Sequence, residues 1–401
     1  MSNVTDQELL EFRAQVTAWF RNNAPADSGF LLPETFMEVG TDQQFEFLRD
    51  WQRKVYEAGY LGMAWPAEYG GGGQPQVFQD IATQEMARAR VPFMTNTIGL
   101  NWAGPLILKM GREEDKQRYI KNILSAEDIW CQGFSEPDAG SDLGNCQCRA
   151  VRDGDDYVIN GSKIWTSLGS YAKYMILLAR TSTAGPSKYA GLSYFLAPME
   201  APGIDPRPIK KLTEEYGFCQ TYFDDARIPA DCLMGQEGEG WNIAMETLTF
   251  ERGATGGQAG GIASMELNVN DIVELARRAR RNGRPAIEDP AIREQLVNFF
   301  IESRSNQLMA ERVSIPALTT DWPTAIPMSG KLRGSELKRG LCRLAVSLQG
   351  ANGARYVSDQ AIDGGKWQRS YFNAFSGTIG GGSSQIQKNI IGERVLGLPK
   401  D

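Results

Sequence analysis

Histidine is absent from the 401 residues. That excludes Ser-His-Asp triads, Cys-His dyads and imidazole-ligated metals, and leaves acid–base work to Asp, Glu, Lys, Tyr or Cys. The six cysteines form no C-x-x-C pair and no spaced quartet. Neither a disulfide framework nor a structural zinc site is expected, no other metal site is indicated, and a reducing compartment fits best. No apolar run approaches the ~18 residues of a membrane span, and the opening segment has neither a basic nor an apolar leader region. The expectation is a cytoplasmic protein without a membrane span. The net charge of −7 lacks the basic footprint of a nucleic-acid binder. Neither the dinucleotide fingerprint G-x-G-x-x-G after a strand nor the phosphate loop G-x-x-x-x-G-K-[ST] occurs.

What is present is an ordinary globular composition: 42% hydrophobic, 23% charged, 43 Gly and 19 Pro. The length exceeds one hydrophobic core, so two or three lobes are expected. Apolar spacing predicts helices from Asp6 to Phe20, Phe45 to Tyr56, Phe78 to Ala89 and Lys116 to Leu124. After Trp130 the character becomes β. Tyr157 to Trp165 places Asn160-Gly161 between β-forming runs, a hairpin signal. Further strands follow at Tyr174 to Ala179, Leu192 to Leu196 and Thr221 to Asp224, too close together for βαβ crossovers, so the sheet should be antiparallel. Helical periodicity returns at Trp241 to Arg252, Val269 to Arg281, Ile292 to Arg312 and Leu332 to Leu348. The fold class is α+β multidomain, with a helical domain over 1–130, a β-domain over 131–238 and a helical bundle over 239–401.

Trp241, Ala244, Leu248, Glu251 and Thr255 share one helix face, which sets Glu251 in line with a buried stripe. A carboxylate there is either paired with an arginine of another helix or serves as a general base in a dry site. Gly253 to Gly261 contains five glycines, which either break the helix or leave room for a ligand. Ser135-Glu-Pro-Asp-Ala-Gly-Ser-Asp142 is either an interdomain turn or a phosphate-facing loop. Gly377 to Gln385 precedes a helix at Ile386, so its serines are N-caps or part of an anion site.

Four segments resemble the acyl-CoA dehydrogenase family in the family's order: Cys131 to Asp142, Ile159-Asn-Gly-Ser-Lys-Ile-Trp-Thr-Ser167, Phe223-Asp-Asp-Ala-Arg-Ile-Pro-Ala230 and Ser384 to Arg394. The resemblance covers nearly the whole chain. It implies a helical N-terminal domain, a middle antiparallel β-domain and a C-terminal four-helix bundle, assembled as a homotetramer or heterotetramer. It also implies FAD between the β-domain and the bundle, α,β-dehydrogenation of an acyl-CoA, and electron transfer to an electron-transfer flavoprotein. The cofactor-binding positions implied are Phe134, Ser135, Gly140, Ser141, Trp165, Thr166, Ser167, Gly350, Ser383 and Gln385. Ser141 and Arg252 are implied on the substrate side.

Two departures matter. The family's Tyr-Glu-Gly-Thr reads Gly380-Gly-Gly-Ser383, so Gly381 stands where many members carry their base. Glu251 matches the position at which other branches carry it, which makes Glu251 the implied catalytic base and leaves Gly381 a backbone N–H. The family's cross-subunit cofactor contacts align with Ala279, Asn282 and Ser347, so those contacts differ or come from a different partner chain. Gly380 and Gly381, with Gly253, Gly256 and Gly257, suggest a pocket for a bulky branched, cyclic or steroid-derived acyl group. The competing readings are a non-catalytic or half-site subunit of a heterotetramer, and carrier-protein thioester dehydrogenation or desulfination on the same scaffold.

Overall fold

A computed structural model describes residues 4–25, 28–251, 267–312, 315, 318 and 325–400. These form two compact units, the first ending at Glu251 and the second beginning at Leu267.

The first unit opens with α1 (Asp6–Asn23), α2 (Asp42–Glu57) and α3 (Gln76–Ala89). A π-helical turn (Gly99–Ala103) then runs into α4 (Gly104–Met110), and α5 (Glu113–Leu124) follows. α1 starts at a capping box, in which Glu8 N–H donates to Thr5 Oγ1 at 3.3 Å and Thr5 N–H donates to Glu8 Oε2 at 2.7 Å. α2 buries Phe45, Leu48, Trp51 and Val55, the helical spacing read from the sequence. Gly104 allows close packing at the start of α4, because a Cβ there would lie 2.3 Å from the Trp65 ring.

The sheet comprises β1 (Trp130–Gly133), β2 (Arg149–Asp153), β3 (Asp156–Ser167), β4 (Tyr174–Arg180), β5 (Leu192–Pro198), β6 (Ile204–Ile209), β7 (Phe218–Pro229) and β8 (Leu233–Met234). Its order is β6-β7-β3-β2-β4-β5-β8, with β1 beside β4. The purely antiparallel expectation needs correction: β1 runs parallel to β4, and β2 meets β4 in parallel through Arg149 and Arg180. The β2–β3 hairpin lies in the chain between β1 and β4 and supplies the long connection that parallel pairing requires.

The hairpin expected at Asn160-Gly161 is also corrected. β3 continues unbroken through it, and the β2–β3 turn is Gly154-Asp155, with Asp153 paired to Asp156. Opposite Asn160, β7 carries an extra residue, and Asp225 takes a left-handed φ of 47°. The Asn160 side chain fastens that bulge, accepting from Asp225 N–H and donating to Asp225 Oδ1, both at 3.0 Å.

Helix α6 (Gly240–Glu251) closes the first unit. Its buried residues are Gly240, Ile243, Ala244, Thr247 and Phe250, so the stripe is rotated from the expected one. Trp241, Leu248 and Glu251 are half-buried at its flank, and Thr255 lies outside the described residues. The polar Thr247 takes a central position because Tyr194 of β5 reaches it.

The second unit is mainly helical: α7 (Val269–Arg278), α8 (Pro290–Arg312), α9 (Ala325–Leu348), α10 (Lys366–Gly377) and α11 (Ser384–Ile390). α7 stops three residues short of the expected Arg281. A small ladder of β9 (Arg280–Arg281) and β10 (Arg284–Pro285) follows. Its turn is Asn282-Gly283, both left-handed at φ 51° and 77°, which is the use of Asn-Gly that tight hairpins require. Among the described residues no helix is long and apolar enough to cross a membrane.

Candidate functional site

In the first unit the candidate residues converge on the segment between β1 and β2 and on the end of β3. Glu136 and Ala139 exchange backbone hydrogen bonds at 3.0 and 3.1 Å, which folds Glu136-Pro137-Asp138-Ala139 into a tight turn. A buried ion pair holds that turn to the sheet. Lys163 of β3, fully buried, donates from Nζ to Glu136 Oε1 at 2.7 Å and to the Phe134 carbonyl at 3.0 Å. Glu136 also accepts from the N–H groups of Cys148 and Gln147, at 2.9 and 2.6 Å. One residue along, Ile164 N–H donates to the Ser135 carbonyl at 2.9 Å. Phe134 and Ser135 are thereby set beside β3.

Farther along the same loop, Gly140 and Ser141 are exposed. Among the described residues, neither backbone N–H has a hydrogen-bond partner. Arg180 locks the next stretch, donating to the carbonyls of Gly144 (2.8 Å), Cys146 (3.0 Å), Lys188 (3.0 Å) and Ala190 (3.3 Å). Asp142 is paired with Lys188.

Between Lys163 and Thr166, β3 carries an extra residue against β7. Trp165 adopts φ 62° in this bulge and is 55% exposed, although its neighbours Lys163 and Thr166 are fully buried. A left-handed backbone is uncommon for a bulky residue and costs about 1–3 kcal/mol, so the bulge holds strain that presents the indole outward. The edge of the indole meets Phe218, with centroids 5.8 Å apart. Thr166 and Ser167 are buried, and Thr221 donates to Thr166 Oγ1 at 3.2 Å.

Glu251 is the last residue of α6. α6 is riveted to β5 by a hydroxyl relay: Thr247 donates to the Ile243 carbonyl at 3.0 Å, so the 2.9 Å contact with Tyr194 has the tyrosine donating. Burial raises the Tyr194 phenol above its ordinary pKa, and the Glu251 charge adds to the rise. Glu251 follows Thr247 by one helical turn on the same side of α6. Tyr194 in turn meets Phe134 edge-on at 5.9 Å. Lys109 of α4 pairs with Glu246 at 2.6 Å. Arg252 and Gly253 to Gly261 lie outside the described residues.

In the second unit, Ser383 caps α11 by accepting from Ile386 N–H at 3.3 Å. Gly381 and Gly382 are left-handed, at φ 62° and 86°. Their loop is pinned from behind. Gln387, fully buried, donates to the Gly381 carbonyl at 3.0 Å, Lys331 of α9 donates to the Gly382 carbonyl, and Ser384 donates to Glu336 at 2.8 Å. Gln385 is exposed.

Gly350 is not part of this cluster. It follows the far end of α9 from Lys331, roughly 25 Å away at ~1.5 Å rise per residue. It is exposed and left-handed (φ 57°), beside a buried Gln349 that accepts from Gln368 at 3.1 Å. Ala279 ends α7, Asn282 occupies the β9–β10 turn, and the Ser347 hydroxyl donates to the Leu344 carbonyl at 3.2 Å.

Lys163, Glu136, Arg180 and Tyr194 were not singled out from the sequence. Strand alternation from Tyr157 and Ile159 does place Lys163 inward, and an inward lysine demands an acidic partner. Nothing in the sequence identifies Glu136 as that partner.

Family profiles described as the acyl-CoA dehydrogenase N-terminal, middle and C-terminal domains match residues 7–127, 131–226 and 238–396. Acyl-CoA dehydrogenase IpdE1 of Mycobacterium tuberculosis is 38% identical over 98% of this chain and 99% of its own length. Among solved structures, the Tcur3481-Tcur3483 steroid ACAD is similar at TM-score 0.81 and 30% identity, with both chains fully covered. The ChsE4-ChsE5 complex from Mycobacterium tuberculosis is similar at TM-score 0.76 and 27% identity, again with both chains fully covered.

Proposed function

Because this chain belongs to the acyl-CoA dehydrogenase family, an oxidoreductase family, we propose that it converts a bulky acyl-CoA to the 2-enoyl-CoA, with Glu251 as base and FAD as hydride acceptor. The observation that carries this reading is the position of Glu251. It is the half-buried terminal carboxylate of a helix riveted to the sheet, one turn beyond the Thr247 that Tyr194 reaches.

The residues present fit a flavin. An outward-facing indole on a strained bulge offers a planar shelf, with Ser135 and the Thr166-Ser167 pair on the adjoining strand and loop. The exposed N–H groups of Gly140 and Ser141 suit a pyrophosphate. FAD, when bound, supplies the N5 position that takes the β-hydrogen as hydride. Glu251 takes the α-proton onto its carboxylate. The Gly381 N–H, held by the bond from Gln387 to the Gly381 carbonyl, is suited to meet the thioester oxygen as negative charge develops there. From the family pattern, Ser383 and Gln385 are the further residues proposed for the cofactor, and Ser141 and Arg252 those proposed for the CoA portion.

A bulky acyl group is supported by the glycines at 380 and 381 and by similarity to a steroid ACAD. A panel of acyl-CoA esters, scored anaerobically by bleaching of the flavin absorbance, tests it. Branched, cyclic or steroid-derived esters should reduce the flavin faster than butyryl-CoA, and a best rate with butyryl-CoA would sink this assignment.

The second reading concerns assembly, and it is favoured because Ala279, Asn282 and Ser347 stand at the cofactor-contact positions and one similar structure is the ChsE4-ChsE5 complex. We place the chain in a tetramer, completed by a different partner chain and passing electrons to an electron-transfer flavoprotein. Flavin retention should rise at least several-fold when such a partner is co-expressed. Full flavin occupancy in the chain purified alone as a homotetramer would overturn the need for one.

A further inference from the structure

The loop that carries Gly381 is held through its carbonyls alone. The Gly381 carbonyl accepts from Gln387 of α11 at 3.0 Å, and the Gly382 carbonyl accepts from Lys331 Nζ of α9. The N–H groups of Gly381, Gly382 and Ser383 have no hydrogen-bond partner among the described residues. Gly381 and Gly382 are left-handed, so the shape of this stretch depends on glycine and on its two braces.

The braces are not equivalent. Gln387 is neutral and fully buried, and a Cβ at Gly382 would lie 2.8 Å from its amide nitrogen, so it fixes the loop by contact. Lys331 is a half-buried cation. A neutral donor would pin a carbonyl as well, and withdrawing an ammonium from water is a cost that pinning alone does not require. α9 anchors the loop a second time where Ser384 donates to Glu336 at 2.8 Å. The ammonium is therefore held in a fixed place behind the loop that presents the Gly381 N–H.

We propose that Lys331 is a positioning residue for proton abstraction, which steadies the Gly381 N–H through Gly382 and sets a positive charge behind it. When the α-proton moves to the base, the electron pair of the broken C–H bond is delocalised onto the thioester oxygen. A fixed cation behind the N–H that meets this oxygen stabilises the developing charge without touching the substrate. One hydrogen bond in front of the loop and one behind it put the ammonium roughly 9 Å from the oxygen. At an effective dielectric of about 20, a unit charge at that distance changes the rate by about 10–30-fold. The assignment rests on the dehydrogenase reading above, since it names a residue for that reaction.

The test compares the flavin-loaded wild type with Lys331→Met, Lys331→Gln and Lys331→Arg. Lys331→Met should lower kcat for flavin reduction by about 10–30-fold and change KM by less than about threefold, with flavin content kept, because the charge acts mainly in the transition state. Lys331→Gln, which keeps a donor and lacks the charge, should lose as much, and it carries the comparison if Lys331→Met fails to fold. Lys331→Arg keeps both and should recover most of the rate. A β-ketoacyl-CoA gives a reading that does not depend on turnover, since its α-proton ionises reversibly and the enolate is followed by ultraviolet absorbance. Its apparent pKa on the protein should rise by about one unit in Lys331→Met and Lys331→Gln, and stay near wild type in Lys331→Arg. An unchanged enolate pKa in the neutral variants, or a loss in Lys331→Arg as large as in Lys331→Met, would overturn the proposal. A rise in KM or a fall in flavin content with kcat unchanged would reduce Lys331 to a structural brace and overturn it as well. Absence of flavin bleaching by any acyl-CoA in the wild type, with the enolate shift intact, would instead count against the dehydrogenase reading alone.

Discussion

Glu251→Gln should abolish most flavin reduction by substrate while flavin content persists. The glutamine keeps the size of the side chain and its place at the end of α6, and removes the basicity. An α-proton is weakly acidic, so its removal needs a positioned carboxylate, and loss of a general base lowers rates by about 10²–10⁴-fold. Stopped-flow bleaching under anaerobic conditions reads the rate, and the oxidised flavin spectrum reads occupancy. A rate within a few-fold of wild type would show that another group takes the proton. Restoring a carboxylate by Gly381→Glu in the Glu251→Gln background should recover only part of the rate. Gly381 has φ 62°, a conformation that disfavours a side chain by about 1–2 kcal/mol.

The second large effect is on stability and cofactor retention. Lys163→Met strands the Glu136 carboxylate where the structure buries it, with 8% of its surface exposed. Breaking one side of a buried ion pair typically costs about 3–5 kcal/mol, because the remaining charge is neither solvated nor paired. Melting of the flavin-loaded protein should shift sharply downward, and flavin should dissociate more readily, since the same lysine holds the Phe134 carbonyl beside the proposed flavin-facing strand. Adding Glu136→Gln should recover part of the loss. It removes the stranded charge and keeps an amide oxygen to accept from the Cys148 or Gln147 N–H. A single variant as stable as wild type, or a double variant worse than the single, would contradict this account.

The segregated order of helices, strands and helices was legible because hydrophobic period is a local property. Phe45, Leu48, Trp51 and Val55 announce α2 from spacing alone, as Tyr174 to Ala179 announce β4. The family segments likewise carry their identity in residue order, and with it the expectation that Glu251 replaces a base missing at Gly381. Register and partner choice are not local. Three Asn-Gly pairs occur, at 160, 282 and 352, and composition does not distinguish them. Only the pair at 282 forms the two-residue hairpin turn; the one at 160 fastens a bulge of β7, and the one at 352 lies in the 3₁₀ turn Gly350–Ala354.

Trp165 shows the same limit at the candidate site. Alternation from Tyr157 through Lys163 would send it inward, and one extra residue in β3 against β7 turns it out and buries Thr166 instead. The sequence by itself determined which side chains are available for chemistry: no histidine, a carboxylate at 251, glycine at 381 and an indole at 165. Tertiary structure alone decided which of them face outward, which are paired across the sheet, and which side chains hold the carbonyls of the Gly381 loop. The physical reason is that pairing, bulges and desolvation depend on residues distant in the chain, whereas periodicity depends only on neighbours.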